Sequence, residues 1–387
     1  MENFVYCTPT KLIFGKDSVN ELPGILGKLG KKILMVYGGG SIKKIGLYDE
    51  VKEKLKDFEV FELSGVEPNP KYDPSVLEGI RICKENKIDA VLAIGGGSVI
   101  DCSKAVCLGA LYDGDVWDII SYKAQADKAL PLVDILTLAA TGSEYDNCAV
   151  ISRTETNDKI CLMNDAVFPV ASILDPRYTF SVSKRQTAAG SADAISHIME
   201  QYFCDGHSLL SDGLCEAGIK SIIVNAKKAL ENPEDYEARG ELMMNCSLAC
   251  NGILSIGCAY SGWPCHAIEH ALSGHKDITH GEGLAIVTPR WMKKILNDKT
   301  MERFVSFGTH IFGIDPSLPK SEIAEKTIEK TYEMFESFGM PMHLSEVGIE
   351  RSDLERIAHH IAVNEGIDHA WAPLSEADVL DILIESL

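Results

Sequence analysis

The sequence predicts an α/β N-terminal half followed by an all-α C-terminal half. Up to about residue 180, short runs rich in β-branched residues alternate with amphipathic segments, which is typical of strands connected by helices around a parallel sheet. Beyond about residue 182, long helical stretches replace these runs. Because 387 residues exceed what one core usually organises, we expect two domains, residues 1–181 and residues 182–387.

The individual elements follow from hydrophobic spacing. Strands are predicted from apolar, β-branched runs at 33–36, 60–63, 90–94, 133–138 and 171–174. Helices are predicted between them, where apolar residues recur every three or four positions, at 46–57, 74–87 and 99–111. The same spacing covers longer stretches of the second half, at 188–202, 211–230, 236–254 and 320–338. No flexible linker separates the halves, so we expect a fixed interface with the active site in the cleft.

Charge and cysteine usage exclude several classes of partner. A formal net charge of −20 would repel nucleic acid and anionic membranes over most of the surface. No uncharged apolar run is long enough to span a bilayer and no leader-like start is present, so we expect a cytoplasmic protein without a membrane partner. The twelve cysteines include no C-x-x-C pair, which predicts reduced thiols.

A glycine-rich turn between a strand and a helix is a candidate phosphate site. The predicted strand 90–94 runs into Gly95-Gly96-Gly97-Ser98, and a helix follows. Glycines let the backbone approach a ligand closely, and the free N–H groups of the helix favour a pyrophosphate. Asp101 would repel phosphate, so its better role is to accept a hydrogen bond from the nicotinamide carboxamide. The alternative is a plain tight connection, since the pattern is not G-x-G-x-x-G.

A second glycine cluster bears on the choice of cofactor. Gly38, Gly39, Gly40 and Ser41 follow the strand 33–36, where many dinucleotide folds place an acid that binds the adenosine ribose. No acid is present at this position. The small residues, with Lys43 and Lys44 nearby, leave room and positive charge for a 2′-phosphate, which favours NADP(H) over NAD(H). The alternative is a simple loop with exposed lysines.

A cluster of acid and histidine residues predicts a metal site in the second half. Asp193 and His197 are four residues apart in a predicted helix, so they project from one face. Four of the eleven histidines crowd into a short stretch, at His266, His270, His275 and His280. One oxygen and three nitrogens would suit a divalent iron or zinc ion. His275 is expected to be exposed, because it lies beside Lys276 and Asp277.

Seven motifs, in order along nearly the whole chain, carry a family resemblance. They are PTKLIFG at 9–15, YGGGSIKK at 37–44, GVEPNP at 65–70, GGGSVIDCSK at 95–104, LAATGSE at 138–144, ADAISHIMEQY at 192–202 and CHAIEHALSGHKDITHG at 265–281. With these motifs the chain resembles the iron-containing alcohol dehydrogenase family, in its branch of butanol dehydrogenases and broad-specificity NADPH-dependent aldehyde reductases.

The resemblance implies a Rossmann-like dinucleotide-binding domain followed by a helical metal-binding domain, an architecture shared with dehydroquinate synthase. It implies Fe²⁺ or Zn²⁺ held by Asp193, His197, His266 and His280, and a homodimer. His270 falls beside the nicotinamide and the substrate, where it could relay protons. The positions that match cofactor contacts, besides Gly38 to Ser41, are Asn69, Gly96, Gly97, Ser98, Asp101, Thr137, Thr141 and Lys159.

The reaction that the resemblance implies is hydride transfer between NADP(H) and short-chain primary alcohols or aldehydes, which are small-molecule substrates. The alternatives are a zinc-dependent polyol dehydrogenase acting on glycerol, and a sugar-phosphate lyase of the same fold. A lyase needs several basic residues around its substrate, whereas 260–281 offers only Lys276. Trp263 in the same stretch favours a more apolar substrate. A non-catalytic metal or nucleotide sensor is the alternative of another class.

Overall fold

A computed structural model describes residues 1–206 and 208–387, which form two units. Residues 7–182 and 233–251 make up what we call the α/β unit. Residues 1–6, 183–232 and 252–387 make up the helical unit. The Rossmann-like α/β fold expected of the first half and the helical fold expected of the second are confirmed. The functional domains at 1–181 and 182–387 stay a prediction.

Six parallel strands form the main sheet of the described α/β unit, in the order β1-β8-β5-β4-β2-β3. The remaining two strands, β6 and β7, pair as an antiparallel hairpin. The strand bounds are β1 Lys11–Phe14, β2 Lys32–Tyr37, β3 Glu59–Ser64, β4 Ala90–Gly95, β5 Leu132–Leu136, β6 Cys148–Arg153, β7 Asp158–Met163 and β8 Ala171–Leu174.

The central strands are apolar on both faces because helices cover both sides of the sheet. Alternate residues of β2 enter two separate hydrophobic clusters: Leu34 and Val36 lie in one, and Ile33 and Met35 lie in the other. Every residue of β4 is buried. This double burial explains why β2 and β4 are continuous apolar runs in the sequence rather than alternating ones.

The helices follow the strands through the first half and then continue alone. Among the described residues their bounds are α1 Leu22–Leu26, α2 Ser41–Lys44, α3 Leu47–Lys54, α4 Leu77–Asn86, α5 Gly97–Leu111, α6 Val116–Ile120, α7 Lys184–Tyr202, α8 Leu209–Glu231, α9 Tyr236–Ala249, α10 Pro264–Lys276, α11 His280–Ile295, α12 Met301–Phe312, α13 Lys320–Ser337, α14 Leu354–Asn364 and α15 Glu376–Glu385. None of them is long and apolar enough to cross a membrane.

Helix α7 is the central helix of the helical unit. The side chain of Ser183 accepts a hydrogen bond from the Gln186 N–H at 3.2 Å and so caps its first turn. From residue 187 to residue 202 every side chain is buried, and α8, α10 and α11 pack against it. A helix buried all round has no solvent-facing stripe, so the polar groups it carries must find partners inside the protein.

The structure contains elements that the strand predictions lack. Strand β1 is short and only partly buried, and the β6–β7 hairpin packs on α5 outside the main sheet. Short, partly polar strands give little periodic signal, which is why they escape sequence reasoning. The helix predicted at 236–254 ends at Ala249, and the remainder of that range holds Gly252, which adopts a left-handed φ of +86° and precedes a 3₁₀ turn.

Candidate metal centre

Three helices of the helical unit bring four candidate ligands together. Asp193 and His197 lie one turn apart on α7, His266 lies in the first turn of α10, and His280 is the first residue of α11. The chain reverses between α10 and α11 at Asp277, a residue with a left-handed φ of +51°. This turn brings His280 back towards His266.

The donor atoms of the four side chains converge. The Nε2 atoms of the three histidines surround one oxygen, Asp193 Oδ1. This oxygen lies 3.5 Å from Nε2 of His197, 3.9 Å from Nε2 of His266 and 3.5 Å from Nε2 of His280. One ligand atom from each of the four residues lies within 4.8 Å of every other. Such a spacing leaves one position from which a single ion could reach all four donors.

Two of these atoms are buried without a hydrogen-bond partner. Asp193 Oδ1 and His266 Nε2 have no such partner among the described residues, although both side chains are more than nine-tenths buried. Leaving buried polar atoms unpaired costs about 1–3 kcal/mol each. A bound cation would satisfy both, and three nitrogens with one carboxylate oxygen form a donor set that suits Fe²⁺ or Zn²⁺. The residues therefore fit a divalent metal ion.

The charge states of two of these residues, Asp193 and His197, suit a cation. Burial lowers the pKa of His197 to about 3, so this imidazole is neutral and keeps a lone pair for a metal. Burial alone would raise the pKa of Asp193, but the imidazoles around it lower that pKa well below its usual range. The carboxylate is therefore ionised at the centre of the three rings.

The predicted cofactor residues all lie in the α/β unit. Gly38 follows β2, Gly96 follows β4 and Thr137 follows β5, so these three share the carboxyl edge of the parallel sheet. Gly97 begins α5, and a Cβ atom there would lie 2.4 Å from Thr141 Oγ1. This edge is where open α/β sheets bind nucleotides, and glycine lets the loop close over α5.

Asp101 and the hairpin complete this region. The Asp101 carboxylate accepts hydrogen bonds from Ser143 Oγ at 2.6 Å and from the Val150 N–H at 2.9 Å. Its contact with a nicotinamide carboxamide stays a prediction. Lys159 on β7 pairs with Ser152, whose N–H donates to the Pro70 carbonyl oxygen at 2.9 Å. The hairpin is thereby tied to the segment next to Asn69.

Two family profiles match the chain. The profile described as "Iron-containing alcohol dehydrogenase" matches residues 9–176, and the profile described as "Fe-containing alcohol dehydrogenase family, C-terminal" matches residues 187–387. The chain belongs to the iron-containing alcohol dehydrogenase family. Iron-containing alcohol dehydrogenases are oxidoreductases, so the chain is an alcohol dehydrogenase or aldehyde reductase, and its family implies a metal and a nicotinamide cofactor.

Individual relatives within this family match along the full chain. The NADH-dependent butanol dehydrogenase A of Clostridium acetobutylicum is 48% identical, with 100% of both chains covered. The NADPH-dependent aldehyde reductase YqhD of Escherichia coli is 34% identical over 95% of this chain and 96% of that protein. The crystal structure of NADH-dependent butanol dehydrogenase A from Thermotoga maritima has a TM-score of 0.95 at 40% identity, covering 100% of this chain and 99% of that one.

In this iron-containing alcohol dehydrogenase, His270 lies beside the four converging residues rather than among them. It follows His266 by one turn of α10, and its ring lies 6.2 Å from that of His266 and 5.5 Å from that of His280. It is half-buried. His275, expected to be exposed, is half-buried as well, because its ring packs against that of His360 at 5.7 Å.

Two glutamates next to the candidate ligands escaped the sequence analysis. Glu200 contacts His266, and Glu269 contacts His280, in both cases at Nδ1. Each glutamate lies three residues after a candidate ligand, in His197-x-x-Glu200 and His266-x-x-Glu269. This repeated spacing was the available signal. It does not identify the partners, since each glutamate binds a histidine of another helix.

Proposed function

We propose that this chain transfers hydride between NADP(H) and short-chain primary alcohols or aldehydes of the butanol and butyraldehyde type. The ion is Fe²⁺ or Zn²⁺, held by Asp193, His197, His266 and His280. The observation that carries the proposal is the convergence of three histidine Nε2 atoms on Asp193 Oδ1. In this proposal a functional domain of residues 1–181 binds the nucleotide, and a functional domain of residues 182–387 binds the metal.

The substrate class is supported by relatives and by one side chain. Relatives that are 44–48% identical over the whole chain are named butanol dehydrogenases. The indole ring of Trp263 lies 5.1 Å from the His266 ring and 5.8 Å from the His197 ring. An apolar wall next to the ligands suits an alkyl chain better than a polyol or a phosphate.

The chemistry divides between the bound groups and the chain. When bound, the metal supplies Lewis-acid polarisation of the substrate oxygen, and the nicotinamide accepts or donates the hydride. Asp193 contributes the negative charge that offsets part of the ion's charge, and neutral His197 contributes a lone pair. His270, half-buried beside these residues, moves the proton to or from the substrate oxygen, directly or through one water.

The proposed preference for NADP(H) rests on the loop after β2. Gly39 and Gly40 have open space around them, and no carboxylate occupies residues 38–41. The ammonium group of Lys43 lies 4.7 Å from the centre of the Tyr48 ring, next to this loop. The names of the Clostridium relatives specify NADH, whereas that of the Escherichia relative specifies NADPH. The cofactor test must therefore compare both.

One experiment tests the reaction, the cofactor and the metal together. Metal-free protein is loaded in turn with Fe²⁺ and Zn²⁺ without oxygen, and oxidation of NADPH and of NADH is followed with butyraldehyde. We expect metal-dependent turnover, with NADPH preferred, and loss of that preference in Lys43→Ala. Turnover with NADH alone would overturn the cofactor proposal. Activity with glycerol but not butyraldehyde would overturn the substrate proposal in favour of a polyol dehydrogenase.

The homodimer stays a prediction that sedimentation velocity would test.

A further inference from the structure

Two buried glutamates link the three helices of the candidate metal centre, one joining α7 to α10 and the other joining α10 to α11. Glu200 on α7 is 1% exposed; its Oε1 accepts a hydrogen bond from the Cys265 N–H at 2.6 Å, and its Oε2 contacts His266 Nδ1 on α10. Glu269 on α10 is 0% exposed; its Oε1 accepts from Ser273 Oγ, and its Oε2 contacts His280 Nδ1 on α11. Each glutamate therefore supports a candidate ligand on a different helix from its own.

We propose that Glu200 and Glu269 are positioning residues that set which nitrogen of His266 and His280 faces the metal. This inference rests on the proposed metal centre and deepens it. A carboxylate only accepts hydrogen bonds, so the imidazole Nδ1 opposite it carries the hydrogen. An imidazole that binds a metal is neutral, with one N–H and one lone pair, so the lone pair is left on Nε2. In both histidines Nε2 is the atom that faces Asp193 Oδ1, at 3.9 Å and 3.5 Å.

The third histidine shows why only two such glutamates are needed. His197 Nδ1 is buried and has no hydrogen-bond partner among the described residues. His197 shares α7 with Asp193, and its ring stacks on that of His266 at 4.6 Å, so the helix and the stacking already orient it. His266 and His280 come from other helices. In each of them the Nδ1 atom contacts a glutamate carboxylate.

The local sequence of α11 makes room for one of these contacts. A Cβ atom at Gly283 would lie 2.7 Å from Glu269 Cγ and 3.0 Å from Ile278 Cδ1. Any side chain there would push Glu269 away from His280, which lies one turn earlier on the same helix. The Glu269 side chain therefore lies against α11 between His280, which its carboxylate contacts, and Gly283, which leaves room for it.

Replacement of the carboxylate by the amide of glutamine should have different effects at Glu200 and Glu269. Glu200 accepts at both oxygens from groups that are donors here, so a glutamine could satisfy only one of them. Besides His280, Glu269 accepts from the Ser273 hydroxyl, which can also accept a hydrogen bond, so a glutamine could satisfy both of these groups. Glu269→Gln should therefore keep the His280 orientation, and Glu200→Gln should not keep that of His266.

The test is the dissociation constant for Zn²⁺, measured on the full chain by competition with a chromophoric chelator, together with the melting temperature of each metal-free variant. Removing a carboxylate that supports a metal-binding histidine weakens binding about 10- to 100-fold. We expect losses of this size in Glu200→Ala, Glu200→Gln and Glu269→Ala, and a smaller loss in Glu269→Gln.

A matched control is Glu282→Gln, which removes another buried carboxylate only two residues from His280. Glu282 pairs with the exposed Arg185 rather than with a histidine, so we expect its Zn²⁺ affinity to equal that of the parent. Glutamate variants that melt lower but bind Zn²⁺ with parental affinity would overturn the positioning role. An equal loss in Glu282→Gln would do the same. A parent chain that does not bind Zn²⁺ would overturn the metal centre itself.

Discussion

Gly281 and Ala189 bring the backbones of two helices into direct contact. A Cβ atom at Gly281 on α11 would lie 2.0 Å from the Ala189 carbonyl oxygen on α7. His280 precedes this glycine, and Asp193 follows the alanine by one turn. The close approach therefore sets how near His280 Nε2 comes to Asp193 Oδ1, which is 3.5 Å. Only a residue without a side chain permits it.

Gly281→Ala should weaken metal binding. The added methyl group must separate α11 from α7, and His280 would then move away from the other three donors. We expect Zn²⁺ affinity to fall by about tenfold or more, the scale of losing a supporting contact. Gly213→Ala on α8 is the control, since its Cβ would meet nothing within 4 Å. Parental affinity in Gly281→Ala would contradict the prediction.

His270→Ala should separate proton transfer from metal binding. If His270 moves a proton, its loss lowers kcat by about 10²-fold or more, the usual scale of general acid–base catalysis. The metal content, measured by elemental analysis, should stay at the parental value. His266→Ala and His280→Ala should each lose both metal and turnover. Full metal retention in both variants would contradict the assignment of these histidines as ligands. The exposed His369→Ala should change neither quantity.

Lys104→Met should strongly destabilise the α/β unit. The Lys104 ammonium is fully buried and donates to Asp146 Oδ1 at 2.7 Å and to the Cys148 carbonyl oxygen at 2.7 Å. Removing one partner of a buried ion pair costs about 3–5 kcal/mol, because the other charge is left uncompensated. Denaturant unfolding would measure this loss, and the double variant Lys104→Met/Asp146→Asn should recover part of it. Lys56→Met, which breaks only the exposed pair with Glu53, should have no measurable effect.

The free energy of unfolding of Glu144→Gln should rise relative to that of the parent as the pH rises. Burial raises the pKa of Glu144 from 4.5 to about 7, while Ser247 Oγ donates to its carboxylate and Lys104 and Asp146 lie nearby. At a pH between these two pKa values, the unfolded parent chain has lost a proton that the folded parent chain keeps. The free energy of unfolding of the parent therefore falls as the pH rises. The total is about 3 kcal/mol for a shift of this size. Melting temperatures of both proteins at pH 5 and pH 8 would measure the difference, and a gap that stays constant would refute it.

The sequence by itself determined the local elements and the chemical inventory. The apolar runs of β2 and β4 and the helical spacing of α5 and α7 are local patterns, so they were predicted to within a few residues. The candidate ligands emerged from residue type, from the four-residue spacing of Asp193 and His197, and from the order of the motifs. Short-range periodicity reflects which side of an element is buried, and one sequence contains that information.

Only the tertiary structure decided which groups meet. Glu200 lies three residues after His197 but supports His266, which is 66 residues away. Helix α9, which follows α7 and α8 in the chain, packs in the α/β unit. The contact of Gly281 with Ala189 depends on two helices that are distant in sequence. Such pairings are set by how helices pack, and packing depends on the shape of the whole core rather than on the residues next to each partner.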